Sequence, residues 1–327
     1  MTKISSKLLN LIQQSKSFLI VGHINPEGDS IGSSLAFALG LKKLRKKEIR
    51  VLSKDPVPEN LKFLPYADHI TQAPPEREFD VVFLVDCNGL ERTGFESFRA
   101  KKTAIIDHHV LPPDSAQSDF YNDLSAYIID PGAAATGLLI YKVLTALKVP
   151  IDQKIATNLY TAILVDTGGF RYSNASPESL RTACHLVESG ARPWSITKEL
   201  YENVSYEGMK LLGLSLATLE RKDGISWITT TKGMFEKTGT TAADCEDFVD
   251  FPRKVKDTEV AIFFRQAGDR SFKISLRSKG SVNVQKIAKS FGGGGHVAAA
   301  GCKVKGTLKD VQDRVIRVVR QAIKESS

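Results

Sequence analysis

The sequence predicts an α/β protein in two parts: an N-terminal domain on a doubly wound parallel sheet and a smaller C-terminal α+β domain. Three observations carry this. The chain has 327 residues, more than one compact core of ordinary size uses, so two domains are expected. In the N-terminal part the strand-like segments are unbroken apolar runs, such as FDVVFLVD (79–86) and TAIID (103–107). Such runs mark a parallel sheet covered on both faces by helices. After Asp223-Gly224 the strand-like segments alternate apolar and polar residues more, which marks a second domain.

The elements follow in order. Residues 1–14 mix charge and serine with a few leucines and lack the apolar centre and small-residue cleavage site of a signal peptide. They are expected to form a short amphipathic helix on the first domain. Residues 17–23 (SFLIVGH) read as a buried strand. Residues 29–44 read as a helix with Ile31, Leu35, Ala38 and Leu39 on one face. A brief strand at 49–52 comes next, and Pro56, Pro58, Pro65, Pro74 and Pro75 punctuate a loop. Strands at 79–86 and 103–107 precede helices at 133–147, 153–164 and 177–188. The first domain is expected at 1–191, a helical linker at 192–214 within one or two helices over 193–219, and the second domain at 215–327. In that domain 225–231, 259–266 and 271–278 read as strands, and 284–291 and 308–323 as helices. No internal repeat occurs.

Composition narrows the classes. Hydrophobic residues make up 42% and charged residues 25%, an ordinary globular balance. No apolar tract reaches 18 residues, so no transmembrane helix is expected. Cys87, Cys184, Cys245 and Cys302 are far apart and form no CxxC pair. Neither a zinc knuckle nor a disulfide framework is expected, and reduced thiols in a cytoplasm fit best. The net charge of +8 favours anionic partners such as phosphates, nucleotides or nucleic acid. Lys42, Lys43, Arg45, Lys46 and Lys47 close a helix and read as a solvated last turn favoured by its dipole rather than as a binding patch.

The informative pattern is where acidic and imidazole groups fall. His23 ends the first strand, Asp86 ends the FDVVFLVD strand, and Asp107, His108 and His109 end TAIID. Ligands of open α/β sheets bind beyond the carboxyl ends of the strands, so three strands deliver metal-type side chains to one sheet edge. Glu27, Asp29 and Asp166 add carboxylates. Taken singly, each Asp could be a helix cap or a loop former. Packed together without a cation they would repel, and several would have to be protonated. Divalent ions remove the difficulty, and mixed oxygen and nitrogen donors suit Mn²⁺, Fe²⁺, Co²⁺ or Zn²⁺. The donors exceed one ion's needs, so two ions are expected, as in sites where paired ions clamp a phosphoryl group. His69 and His185 have no such setting and read as structural.

Other phosphate motifs fail: no GxxxxGK[ST] is present, and the glycine run Gly292 to Gly295 does not open a first-strand turn. That run reads as a loop whose backbone approaches an anionic ligand closely. His296 follows it, and Arg277 and Lys279 (SLRSKG) lie upstream.

The stretches HINPEGDSIGS (23–33), VDCNGLERTG (85–94), IDHH (106–109) and VDTGGFRYSN (165–174) resemble the ordered motifs of the DHH phosphoesterases. SLRSKG and FGGGGHVAAAG resemble the family's C-terminal DHH-associated domain. The likeness spans nearly the whole chain and is nearest the branch that degrades short oligoribonucleotides (nanoRNA) and dephosphorylates 3′-phosphoadenosine 5′-phosphate. It implies an active site in the interdomain cleft, with one ion on His23, Glu27 and Asp86 and a second on Asp29, Asp86, His108 and Asp166, Asp86 bridging. Both would be Mn²⁺. It implies that His109 contacts the scissile phosphate or leaving group, and that Asp107 orients an imidazole. Arg277, Gly293, Gly294, Gly295 and His296 would hold the substrate's far end, with Arg171 a weaker candidate. The family pattern has Asp where Glu27 stands, which puts one methylene more between backbone and ion.

The implied enzyme is a manganese-dependent phosphodiesterase and phosphatase acting on short single-stranded RNA or a small nucleotide, without a membrane partner. A homodimer is compatible with this. The rivals are a cyclic di-AMP or linear dinucleotide phosphodiesterase and, from another class, a non-catalytic nucleotide-binding protein.

Overall fold

The structure, a computed structural model, describes residues 4–111, 118–280, 282–295 and 297–326. The chain divides into two compact units, Met1–Asn203 and Val204–Ser327.

The first unit contains α1 (Ser6–Gln14), β1 (Ser17–Val21), α2 (Gly28–Lys43), β2 (Glu48–Leu52), β3 (Ile70–Thr71), β4 (Val81–Val85), β5 (Thr103–Asp107), α3 (Asp119–Asn122), β6 (Ala126–Ile129), α4 (Thr136–Ala146), α5 (Gln153–Asp166), α6 (Pro177–Glu188) and α7 (Pro193–Tyr201). Its six strands are parallel, in the order β3-β2-β1-β4-β5-β6. The order reverses between β1 and β4, which places the switch point of the doubly wound sheet there.

Strand residues alternate between two apolar layers. Phe18, Ile20, Val51, Phe83, Ile106 and Ile128 join the core that also holds Leu35, Leu139 and Leu159 of α2, α4 and α5. Leu19, Val21, Leu52, Val82, Leu84 and Ile105 form a smaller layer on the opposite face. Long helices cover only the first face. The second is closed by Phe95 and Phe98 in a loop and by Phe120 and Tyr121 of α3. Continuous apolar runs require that both faces be covered, but not by what. The short strands β3 and β6 escaped the sequence reading because β3 has two residues and β6 shows Tyr127 at 58% exposure on an edge. The N-terminal helix buries Leu8, Leu11 and Ile12 in the main core.

The second unit contains α8 (Tyr206–Leu216), β7 (Glu220–Lys222), β8 (Ile225–Thr230), α9 (Lys232–Thr238), α10 (Asp250–Arg253), β9 (Val260–Gly268), β10 (Ser271–Ser278), α11 (Val284–Ser290), β11 (Gly294–Gly295), β12 (Ala299–Lys305) and α12 (Leu308–Ser326). The sheet order is β11-β12-β10-β9-β8-β7, with β8 and β9 parallel and the other pairs antiparallel. Val311, Val315, Val319 and Ile323 recur every four residues along α12 and pack on Phe272, Ile274, Leu276 and Val304. Leu211, Phe248 and Val249 cover Ile228, Ala261 and Phe263 on the other face. Of the segment 192–214, α7 gives Ile196 and Leu200 to the first unit's core, whereas α8 gives Leu211 and Leu212 to the second's.

Close packing of α2 on α5 depends on Gly32. A Cβ there would sit 2.5 Å from the Asn158 carbonyl oxygen and 3.2 Å from Ala162 Cβ. In an exposed helix Gly→Ala stabilises by roughly 0.5–1 kcal/mol. Here the sign reverses: Gly32→Ala is expected to destabilise by about 1–3 kcal/mol in urea unfolding. Unchanged or increased stability would contradict the packing described.

Candidate metal centre

The carboxyl ends of β1, β4 and β5 carry the cluster. His23 follows β1, Asp86 follows β4, and Asp107 closes β5 with His108 and His109 behind it. Glu27 and Asp29 arrive on the start of α2, and Asp166 on the last turn of α5. Asp86 takes a left-handed backbone conformation, φ 57°, an unusual choice for a non-glycine residue and one that clusters at functional sites.

Asp86 is 1% exposed and presents its two oxygens to different histidines. Oδ2 lies 3.3 Å from His23 Nε2, and Oδ1 lies 3.7 Å from His108 Nε2 and 3.6 Å from His109 Nδ1. Glu27 Oε1 is 3.8 Å from His23 Nε2. His108 Nε2 also stands 3.8 Å from Asp29 Oδ2 and 3.5 Å from Asp166 Oδ2. Three ligand groups result: His23, Glu27 and Asp86; Asp29, His108 and Asp166; and Asp86, His108 and His109. In each, the donor atoms lie within 4.8 Å of one another.

Each imidazole is fixed from behind. His23 Nδ1 bonds the Ile24 carbonyl at 2.7 Å, and His108 Nδ1 bonds the Ala133 carbonyl at 3.2 Å. Both turn Nε2 toward the carboxylates, as metal-binding imidazoles do. His109 instead points Nδ1 at Asp107 Oδ1, 2.6 Å away. Asp107 Oδ1 also accepts from the His108 N–H, and the residue is in none of the three ligand groups.

Thr136 carries no signature in the sequence. Its hydroxyl donates to Asp86 Oδ1 at 2.8 Å, and its N–H donates to Asp29 Oδ2 at 2.6 Å. Gly137 N–H and the Ser33 hydroxyl donate to Asp29 Oδ1 at 2.9 and 2.8 Å. The N-cap of α4 is Ala135, which has no capping side chain, so Asp29, a hundred residues upstream, caps that helix. Glu27 caps α2 through both oxygens, accepting from Ser30 N–H and Asp29 N–H.

Residues 28–32 (GDSIG) also spell G-x-S-x-G, the pattern of a serine nucleophile at a strand-to-helix turn. Ser30 is not placed for that chemistry: it is 1% exposed, and its buried hydroxyl has no hydrogen-bond partner among the described residues.

Electrostatics follow from crowding. Desolvation alone would lower His23, but Asp86 and Glu27 outweigh it and push the imidazole up to about 10. Desolvation likewise opposes, and Asp166, Asp29 and Asp86 overcome, the rise of His108 to about 9. Burial, then the charges of Asp86 and Asp166, hold Asp29 well above the usual carboxylate range. Burial raises Asp166 to about 7 despite His108. Burial works to raise Glu27 too, but His23 and two backbone N–H groups bring it down to about 2. Burial opposes and the His109 hydrogen bond achieves the lowering of Asp107. Protons on His23, His108, Asp29 and Asp166 therefore supply the positive charge a divalent ion would bring, and the donor set fits such an ion.

The remaining candidates belong to none of the three ligand groups. Arg171 is exposed and folds its Nε onto the Gly168 carbonyl. His69 stacks on Tyr66 and pairs with Asp68, and His185 meets Tyr141. Arg277 lies on β10, its Nε 3.9 Å from Asp250 Oδ1. Three of the four glycines have architectural reasons. Gly292 ends α11 with φ 75°, Gly293 leaves a Cβ only 2.2 Å from the Gly301 carbonyl, and Gly295 has φ 138°. Of the four, Gly294 alone combines open space where a Cβ would sit with a backbone outside the left-handed region. His296 lies outside the described residues.

The folded carboxyl of Asp166 sits at about 7, above its ordinary 3.8. The stability it contributes is present at acid pH and lost as pH rises through 7. In chelator-treated protein, Asp166→Asn should therefore gain stability over wild type between pH 3.8 and about 7 and keep that gain above it. Thermal unfolding across this range checks it, and a flat difference would contradict the crowding.

Comparison with known proteins agrees with this architecture. The N-terminal domain of the DHH family matches residues 17–163, and the DHHA1 domain matches residues 226–325. The bifunctional oligoribonuclease and PAP phosphatase NrnA of Thermus thermophilus is 34% identical over 310 residues, covering 93% of this chain and 89% of its own. The protein of the same name from Bacillus subtilis is 25% identical over 328 residues, covering 98% and 99%. The crystal structure of an exopolyphosphatase-related protein from Bacteroides fragilis matches with a TM-score of 0.86 at 26% identity, over 99% of this chain and 98% of that one. With both halves matched in order and a relative this similar along nearly its whole length, the chain belongs to the DHH family, a DHH N-terminal domain followed by a DHHA1 domain.

Proposed function

We propose that the protein is a divalent-metal phosphoesterase that hydrolyses short oligoribonucleotides to mononucleotides and 3′-phosphoadenosine 5′-phosphate to AMP. The observation that carries the reading is the carboxylate of Asp86, shared between His23 on one side and His108 and His109 on the other. One shared carboxylate between two donor groups is the arrangement of a two-ion site. The substrate class rests on the similarity to the two oligoribonuclease and PAP phosphatase relatives along almost the whole chain.

His23, Glu27 and Asp86 would hold one ion, and Asp29, Asp86, His108 and Asp166 the other. A donor set this rich in carboxylates with few imidazoles suits Mn²⁺. When bound, the ions would neutralise phosphoryl charge and lower the pKa of a water molecule. The chain's own groups do the rest. Asp107 holds His109 by Nδ1, which sets the ring orientation in which His109 would meet a phosphoryl or leaving oxygen. Thr136 and the start of α4 hold Asp86 and Asp29 in place. In the C-terminal unit Arg277, Gly294 and His296 would bind the substrate's far end, Arg277 as a charge-assisted donor to a terminal phosphate, with Gly293 and Gly295 shaping the loop. Arg171 remains a weaker contact. No helix among the described residues is long and apolar enough to cross a membrane, and the four cysteines are free thiols. A cytoplasmic setting fits the thiols.

Product analysis with Mn²⁺ tests the reading, offering an RNA series from dinucleotides to long oligomers, 3′-phosphoadenosine 5′-phosphate and cyclic di-AMP. Mononucleotides released fastest from the shortest RNAs, with AMP from the bisphosphate, support it. Dominant cleavage of cyclic di-AMP would move the protein to nucleotide signalling, and no turnover at all would make it a nucleotide-binding protein.

Two variants probe the residues. His108→Ala should lower turnover by roughly three orders of magnitude, since several kcal/mol of charge stabilisation is lost, and chelation should do the same reversibly. Thr136→Val should weaken Mn²⁺ binding by about 10–100-fold, read by titration calorimetry, and Thr136→Ser should restore it. Full affinity in Thr136→Val would remove Thr136 from the account.

A further inference from the structure

The second sheet carries a row of cations in which Lys273, Lys303 and Lys305 enter no ion pair among the described residues and no part of the site above. In β10, Phe272, Ile274 and Leu276 point into the α12 core, so Ser271, Lys273, Ser275 and Arg277 share the opposite face. Across the strand pairs, Lys273 stands directly opposite Lys303 of β12 on one side and Arg265 of β9 on the other. Ser271 is opposite Lys305. Lys273, Lys303 and Lys305 are exposed, and Arg265 is half-buried. Directly opposed side chains have Cβ atoms about 4.5–5.5 Å apart, and like charges there are destabilising.

That arrangement is unfavourable for folding. On β12 the lysines could guard a sheet edge against pairing with other chains. Lys273 has no edge to guard, because β10 lies between β12 and β9. No residue of β10 or β12 on this face is acidic, and none of the ion pairs among the described residues involves Lys273, Lys303 or Lys305. Arg265 spends one nitrogen on the Ala242 carbonyl.

The row also leads somewhere. Arg277 lies four residues along the same face of β10, about 13 Å away at 3.3–3.4 Å per residue. Between them the face is paved with small groups: Ser275 opposite Gly301, and Ala299 opposite Arg277. Gly294 and Gly295 border it through β11. On the β12 side of β10 an uncharged strip thus joins Arg277 at one end to Lys273 and Lys303 at the other.

We propose that this face is a second phosphate-binding subsite, which takes the phosphodiester backbone of single-stranded oligonucleotides longer than a dinucleotide. The inference rests on the functional reading above, and extends it from the substrate's end to its length. Arg277 holds one phosphate, and the lysine row holds a phosphate further along the strand. Backbone contacts of this kind add affinity without base preference.

The test compares wild type with Lys273→Gln/Lys303→Gln in the Mn²⁺-loaded full chain. KM for a pentanucleotide should rise roughly tenfold with kcat unchanged, while KM for a dinucleotide and for 3′-phosphoadenosine 5′-phosphate stays the same. Anisotropy with a fluorescent phosphorothioate pentanucleotide, which keeps every backbone charge, should show the same loss. The slope of log affinity against log salt should fall by about 0.7, the value for one lost phosphate contact on a single strand. Lys273→Arg/Lys303→Arg should bind like wild type. Equal losses for dinucleotide and pentanucleotide, or an unchanged salt slope, would overturn the subsite. A wild-type chain that bound the pentanucleotide through these lysines but hydrolysed no RNA would sink the functional reading and leave the subsite standing.

Discussion

Mutual repulsion among the carboxylates around Asp86 is the constraint on which the rest of the first unit depends. Glu27, Asp29, Asp86, Asp107 and Asp166 converge with His23, His108 and His109, and three of the five carboxylates are essentially buried. Such a group of charges is tolerated only where compensating charge and hydrogen bonds are built in. The fold supplies both. Backbone N–H groups at the starts of α2 and α4 take up the Glu27 and Asp29 oxygens. Thr136 and Ser33 add hydroxyl donors. The imidazoles are turned inward by bonds to carbonyls and to Asp107.

Topology explains why these groups can meet at all. A parallel sheet whose order reverses between β1 and β4 leaves an opening beyond the strands' carboxyl ends, and His23 and Asp86 follow those two strands. The adjacent β5 brings His108 and His109 to the same edge. Helix α2, which begins at this opening, packs against α5 closely enough to need Gly32, and α5 carries Asp166 at its last turn. This packing thus fixes where Asp166 sits relative to Asp29, and Asp86 takes a left-handed backbone conformation at the same opening.

Much of this could be read from the residues. Strand-end positions for His23, Asp86 and Asp107 follow from apolar runs that stop at a polar residue, and a shared sheet edge follows from parallel topology. What escaped has physical reasons. Thr136 works through one hydroxyl and its backbone N–H, and no residue pattern distinguishes such a threonine from an ordinary helix start. The capping of α4 by Asp29 is a long-range contact, invisible to local propensity. The glycine run was weighted toward a ligand, yet Gly292, Gly293 and Gly295 answer to backbone conformation and to the Gly301 carbonyl. Ala299, Ala300 and Gly301 begin β12, although such small residues are depleted in strands. There Ala299 and Gly301 lie on the open face and only Ala300 is buried. The second face of the first sheet is covered by loops and a short helix, because continuous apolar strands specify burial and leave the covering element open.

The most direct test of the central claim is a calorimetric titration of Mn²⁺ into the chelator-stripped chain, with proton release followed in parallel. The account predicts saturation at two ions per chain, with protons expelled from His23, His108, Asp29 and Asp166 as the ions enter, and loss of both ions in Asp86→Asn. Absence of saturable binding, or two ions retained without Asp86, would contradict it.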